Sequence, residues 1–295
     1  MKPFPLRLLL SLLVVLLMLL SGPARAQGTM VRVQTVMGPI DMRLLDSAAP
    51  VTVANFLAYA RAGDWDDMFL HRSARLATGA PFVIQGGGFR WPASGNCCVS
   101  VTSRGQIANE FSATRSNVRG TVAMAKLGTG PNTATSQWFI NLGDNSANLD
   151  NQNGGFTVFA RVTELGMAVA DRIAALRVVN AGSPYNELPV IDYTPGQLIQ
   201  RQNMVLVNEV IELPQATDAD RIFNYLEAVY PQYLSPSPGV SGAAEGYTYR
   251  FYNVSKAYVG VKDGKIWYLV PSIGPGIGEL GSVAEWLATA QAAGY

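Results

Sequence analysis

LHRSARLATGAPFVIQGGGF, residues Leu70 to Phe89, holds the only histidine of the 295-residue chain. An arginine stands beside it. A nine-residue link follows, then a short apolar run that stops on three glycines. Three chemistries compete for this stretch: a catalytic histidine, a glycine loop around a phosphate, and a binding wall with an arginine in it. Gln85-Gly86-Gly87-Gly88 matches neither G-x-G-x-x-G opening a helix nor a Walker loop followed by Lys-Ser/Thr. The glycines therefore read as places of close backbone approach. His71 as a base needs a nucleophile, and no G-x-S-x-G elbow is present. A lone histidine on a strand reads as hydrogen-bonded structure, which leaves Arg72.

The composition is that of an ordinary globular protein, 48% hydrophobic and 15% charged. The first 26 residues carry Lys2, Arg7 and Arg25 and no acids, so the remainder is slightly acidic. Nothing in that balance calls for a nucleic-acid or anionic-membrane partner. Lys2 and Arg7, the apolar run Leu8–Leu20, the break at Pro23 and Ala24-Arg25-Ala26 form a secretory signal pattern. The apolar run is shorter than the ~20 residues of a spanning helix. Cleavage is expected after Ala26, which makes the chain periplasmic or secreted. Cys97 and Cys98 are adjacent, with Cα atoms ~3.8 Å apart across a trans peptide, below the usual disulfide range. They read as two loop thiols, with a strained vicinal bridge as the alternative. One histidine and two adjacent cysteines do not build a standard zinc site. No metal and no cofactor is expected.

Val31–Thr35 and Ile40–Leu44 alternate around Gly38-Pro39, which predicts a hairpin with one buried face. Pro50 opens a helix with Val53, Phe56, Leu57 and Ala60 on one side, and Gly63 stops it. Short strands are expected at 68–73, 82–86, 121–125, 137–141 and 156–162. A second helix carries Val169, Ile173 and Leu176, and a strand from Met204 closes the region. Many short strands with two helices point to a closed β-barrel. Around Pro214 the pattern changes. Thr217-x-x-Asp220 and Ser282-x-x-Glu285 are capping-box signals. Between the helices that they start, Tyr247–Tyr252, Tyr258–Val261 and Lys265–Val270 read as strands, the last two joined at Asp263-Gly264. The division expected is a signal peptide at 1–26, a barrel domain at 27–213 and a small α+β module at 214–295.

Several motifs, in order, resemble the cyclophilins, a family of peptidyl-prolyl cis-trans isomerases. They include Pro50-Val-Thr-Val-Ala-Asn-Phe, His71-Arg72, Phe82-Val-Ile-Gln-Gly-Gly-Gly-Phe, Asn109-Glu110-Phe111 and Gly120-Thr-Val-Ala-Met-Ala. Gly130-Pro-Asn-Thr-Ala-Thr-Ser-Gln-Trp-Phe-Ile-Asn, Leu149-Asp150 and Phe156-Thr-Val-Phe-Ala-Arg-Val complete the set. The resemblance implies a mainly β fold: a closed eight-stranded antiparallel barrel capped by two helices, with an outer groove for X-Pro peptides. It places Arg72 as the catalytic group. Phe82 and Gln85 fall on one wall, Met124, Ala125 and Lys126 on the groove edge, Gln137 and Phe139 on the floor, and Leu149 and Phe156 on the far wall. The implied partners are proline-containing segments of exported proteins and a cyclosporin-type ligand.

The residue types suit that chemistry. The X-Pro amide rotates slowly because resonance sets a barrier of ~18–20 kcal/mol. An apolar socket holds the ring, glutamine amides hold the flanking peptide, and an arginine donates to the prolyl nitrogen as it loses conjugation. The isomerase reading stands beside a second one, a weak or inactive cyclophilin-like module that binds peptides or serves as a scaffold. The link between Arg72 and Phe82 is longer than the family pattern and favours the second. Arg72 and the intact Gln137-Trp138-Phe139 favour the first.

Overall fold

The computed structural model describes residues 28–295. The signal-peptide reading of 1–26 lies outside the described residues. Alternation organises what is described. β1 (Met30–Thr35) and β2 (Gly38–Leu44) pair as a hairpin, with Thr35 opposite Gly38. Val31, Val33, Ile40 and Met42 enter one core with Phe56, Trp65, Val122, Trp138, Ile140 and Phe159. Helix α1 (Pro50–Arg61) starts on proline as expected. Its first free N–H groups, those of Val51 and Thr52, donate to the Glu110 carboxylate at 3.1 and 2.8 Å. Glu110 therefore caps a helix from a distant loop, at the end where the dipole favours an anion.

The remaining strands of this half are β3 (Met68–Phe69), β4 (Arg72–Arg75), β5 (Pro81–Gly86), β6 (Phe89–Arg90) and β7 (Val99–Ser100), followed by β8 (Thr121–Met124), β9 (Trp138–Asn141), β10 (Val158–Val162) and β13 (Leu206–Glu212). They form a strongly curled antiparallel sheet of eleven strands, in the order β4-β5-β9-β8-β10-β2-β1-β13-β3-β6-β7. The count exceeds the expected eight for two reasons. β3 and β4 are successive pieces of one stretch of chain, and β6 and β7 are two-residue additions at the edge. Helices α2 (Ser146–Leu149) and α3 (Glu164–Ala174) follow β9 and β10. A small hairpin, β11 (Arg177–Val179) and β12 (Leu188–Val190), forms a separate two-stranded sheet. The sulfurs of the adjacent Cys97 and Cys98 are in contact.

The glycines of the opening stretch have a steric reason. Gly87 has φ +81, and a side chain there would strike the Ser136 carbonyl; one at Gly88 would strike Gln137. The chain lies directly on the start of β9.

Beyond Pro214 the chain builds a β-rich unit. β14 (Val240–Ala244), β15 (Tyr247–Tyr252), β16 (Ala257–Lys262), β17 (Lys265–Leu269) and β18 (Gly278–Ser282) form a five-stranded antiparallel meander. Both capping boxes are made, at the start of α4 (Asp218–Val229) and of α5 (Val283–Ala292). Asp263 and Gly264 take positive φ between β16 and β17, as a two-residue hairpin turn requires.

One expectation for β1–β2 fails in an informative way. Both faces of the hairpin are buried, because α4 covers the side that alternation assigns to solvent. Arg32 is 0% exposed. Its guanidinium meets Asp41 through two bonds of 2.7 Å and Glu227 at 2.8 Å. Glu227 also accepts from Arg250 and from the Tyr252 hydroxyl, each at 3.0 Å, and the Tyr295 hydroxyl donates to Asp41 at 2.7 Å. Burial and then the neighbouring carboxylates hold both phenols protonated, well above their ordinary pKa. Removing one partner leaves a buried charge unanswered, which costs about 3–5 kcal/mol. Glu227→Ala is therefore expected to lose about that much in urea denaturation followed by far-ultraviolet circular dichroism. A loss below about 1 kcal/mol would show the network to be dispensable.

Candidate active site

Alternation also divides the walls of the site from the core. On β5, Ile84 points in while Val83 and Gln85 point out. On β9, Trp138 and Ile140 point in while Phe139 points out. On β8, Val122 and Met124 point in while Ala123 points out. The outward set forms a second apolar cluster, in which Ala74, Val83, Ala123, Phe139, Leu149 and Val158 are joined by Phe82, Ala125 and Phe156. Over it lies an open groove of about 500 Å³. Nine of the ten residues expected at the site line it: Arg72, Phe82, Gln85, Ala125, Lys126, Gln137, Phe139, Leu149 and Phe156. Met124 does not. Strand parity turns its side chain into the core, where it is 1% exposed, so its assignment to the groove edge is corrected.

The long link after Arg72 leaves the groove open. It lengthens the β4–β5 hairpin, whose tip lies at 76–80, and Arg72 stays directly opposite Gln85. Gln85 donates to Gln137 at 2.7 Å, tying the two amides together across β5 and β9. Phe139 and Phe156 meet edge to face at 5.7 Å between ring centres. Lys126 lies over the Phe156 ring at 4.7 Å and donates to the carbonyls of Asn153 and Gly155. Burial lowers its pKa. Lys126 thus braces the loop that presents Phe156.

Arg72 is half-exposed, and its Nε donates to Glu187 at 2.7 Å. Glu187 lies just ahead of β12, and its backbone carbonyl accepts from the Ser73 N–H at 2.8 Å. Sequence reasoning missed it, together with Phe89 and Pro184, which also line the groove. Only a resemblance extending to residue 187 with a matching role could have found it.

His71 is buried and packs edge to face on Phe89 at 5.0 Å. Its Nδ1 has no hydrogen-bond partner. Burial first, and the adjacent Arg72 charge second, push its pKa down to about 4, against a contact with Gln137 that raises it. It is a neutral wall residue. Between pH 6.5 and about 4 the unfolded chain takes up a proton there that the folded chain refuses. Stability is thus unaffected by His71 above pH 6.5 and declines toward pH 4, by up to about 3 kcal/mol. Urea denaturation of wild type and His71→Gln across that range checks this. The variant should lack that part of the slope, and equal slopes would count against it.

A profile of the family described as "Cyclophilin type peptidyl-prolyl cis-trans isomerase/CLD" matches residues 30–194. Peptidyl-prolyl cis-trans isomerase A of Dickeya dadantii (strain 3937) is 36% identical over 187 residues, covering 62% of this chain and 91% of that protein. A peptidyl-prolyl cis-trans isomerase of Acinetobacter baylyi is 36% identical over 170 residues, covering 57% and 84%. Isomerase B of Escherichia coli (strain K12) is 36% identical over 157 residues, covering 52% and 88%.

Proposed function

The chain belongs to the cyclophilin-type peptidyl-prolyl cis-trans isomerase family, and from that premise we propose how its groove turns over X-Pro bonds. It is an isomerase of peptides containing proline. The prolyl ring sits in the socket of Phe82, Phe139, Leu149 and Phe156. The linked amides of Gln85 and Gln137 and the backbone at Ala125 hold the flanking peptide. As the amide twists, its nitrogen gains a lone pair, and a terminal N–H of Arg72 donates to it. That bond is stronger in the twisted state than in either planar one, so it lowers the barrier without any covalent step. The observation that carries this reading is the convergence of an arginine, two glutamines and an apolar socket from distant segments on one outer groove. A cyclosporin-type ligand would compete for the same socket. The long link that favoured the inactive scaffold reading extends the hairpin at its tip, and residues 76–80 do not line the groove.

Three further parts belong to the proposal. The clients are exported proteins met in the periplasm or outside the cell, a reading supported by the signal pattern before Gln27. Residues 27–213 and 214–295 form two domains, supported by their separate sheets. The curled sheet closes into an eight-stranded barrel. The support is that Leu70 donates to Val205 on the β13 side, while His71, the next residue, donates to Gln85 on β5.

A protease-coupled assay on an Ala-Pro peptide tests the role of Arg72. Arg72→Ala should lower kcat/KM about 100-fold, the usual loss for one transition-state donor, with little change in Tm. Equal rates for variant and wild type would remove Arg72 from the mechanism.

A further inference from the structure

Arg72 must aim its terminal nitrogens into the groove, yet the residue opposite it does not hold it. Gln85, its partner in register, is committed to Gln137. Among the described residues, the guanidinium has one polar partner, Glu187, and it is bound through Nε alone. A single bond at Nε fixes the plane of the guanidinium and leaves both terminal nitrogens free. Glu187 is itself fixed, because its carbonyl is locked to the Ser73 N–H, one residue past Arg72. Close by, Tyr185 packs on Phe69 and Phe89 at 5.8 and 5.0 Å, which anchors this stretch of chain.

We propose that Glu187 is a positioning residue of the isomerase: it holds Arg72 by Nε so that the terminal N–H groups face the prolyl nitrogen. The inference rests on the isomerase reading of the groove. A pair whose side chains are 39% and 38% exposed adds little to stability, so the effect of this bond falls on turnover. Without the carboxylate the guanidinium samples many rotamers, and only a fraction of bound complexes present a donor. The loss then appears in kcat and hardly in KM. Glutamine keeps an acceptor at the same reach and should restore most of the rate without the charge.

The experiment compares wild type, Arg72→Ala, Glu187→Ala and Glu187→Gln on one Ala-Pro peptide, with Tm measured for each. The expected result is a fall of about tenfold in kcat for Glu187→Ala, an unchanged KM and Tm, and recovery to within about threefold in Glu187→Gln. If Glu187→Ala matches wild type while Arg72→Ala is dead, the inference is overturned and the isomerase reading survives. An equal loss in the alanine and glutamine variants also overturns it. If wild type itself is inactive, the isomerase reading has failed instead. Should Glu187→Ala fold poorly, the NMR signal of the Arg72 Nε–H in wild type and Glu187→Gln decides. Protection from exchange in both supports the proposal, and exchange as fast as that of an exposed arginine in wild type contradicts it.

Discussion

The groove exists because three adjacent strands each divide their side chains between two jobs. On β5, β9 and β8 every second residue is committed to the core, which fixes the strands rigidly. The residues between are thereby aimed at one outer surface with no freedom to turn inward. A shift of one residue in β9 would send Phe139 into the core and Trp138 into the groove. The register of β4 on β5 carries the same constraint to Arg72. It holds across a hairpin longer than the family pattern because the extra residues extend the hairpin at its tip. The catalysis proposed for this groove needs no reactive atom, only a fixed relation between an apolar socket and a donor, so register is the property that matters.

The second organising interaction lies on the other side of the sheet. Arg32, Asp41, Glu227 and Arg250 form a buried network, which Asp220 joins at its edge through Arg250, completed by two protonated tyrosines and Asn224. Such a network specifies geometry more than it adds stability, since each charge is costly to leave unmatched. It holds α4 against the hairpin that starts the sheet. The β-rich unit beyond Pro214 is therefore fastened to the isomerase half by charge matching as well as by apolar contact at Met30, Leu213, Ala290 and Tyr295.

Much of this was legible in the residues. The Pro50 helix, the capping boxes, the Asp263-Gly264 turn and the three inner strands of the meander carry local signals that tertiary contacts did not override. The outer strands β14 and β18 carry none: Val-Ser-Gly-Ala-Ala and Gly-Glu-Leu-Gly-Ser have poor strand propensity. Their glycines are explained only by the fold, since a side chain at Gly242 would enter the Tyr249 ring and one at Gly278 the Tyr268 ring. At the groove, nine lining residues, Arg72 among them, were legible in the motifs. Met124 was misplaced, although its parity with Val122 pointed inward. Glu187 was invisible because its partner lies 115 residues away and nothing in Asn186-Glu187-Leu188 announces it. The burial of Arg32 was likewise hidden, for alternation reports one face of a strand and not what later covers the other.

The central claim is geometric, so a crystal structure with an Ala-Pro peptide bound tests it most directly. The account predicts the prolyl ring enclosed by Phe82, Phe139, Leu149 and Phe156. It also predicts a terminal nitrogen of Arg72 within about 3 Å of the prolyl nitrogen or the adjoining carbonyl. A peptide bound elsewhere, or a ring in that socket with Arg72 turned out to solvent, would contradict it.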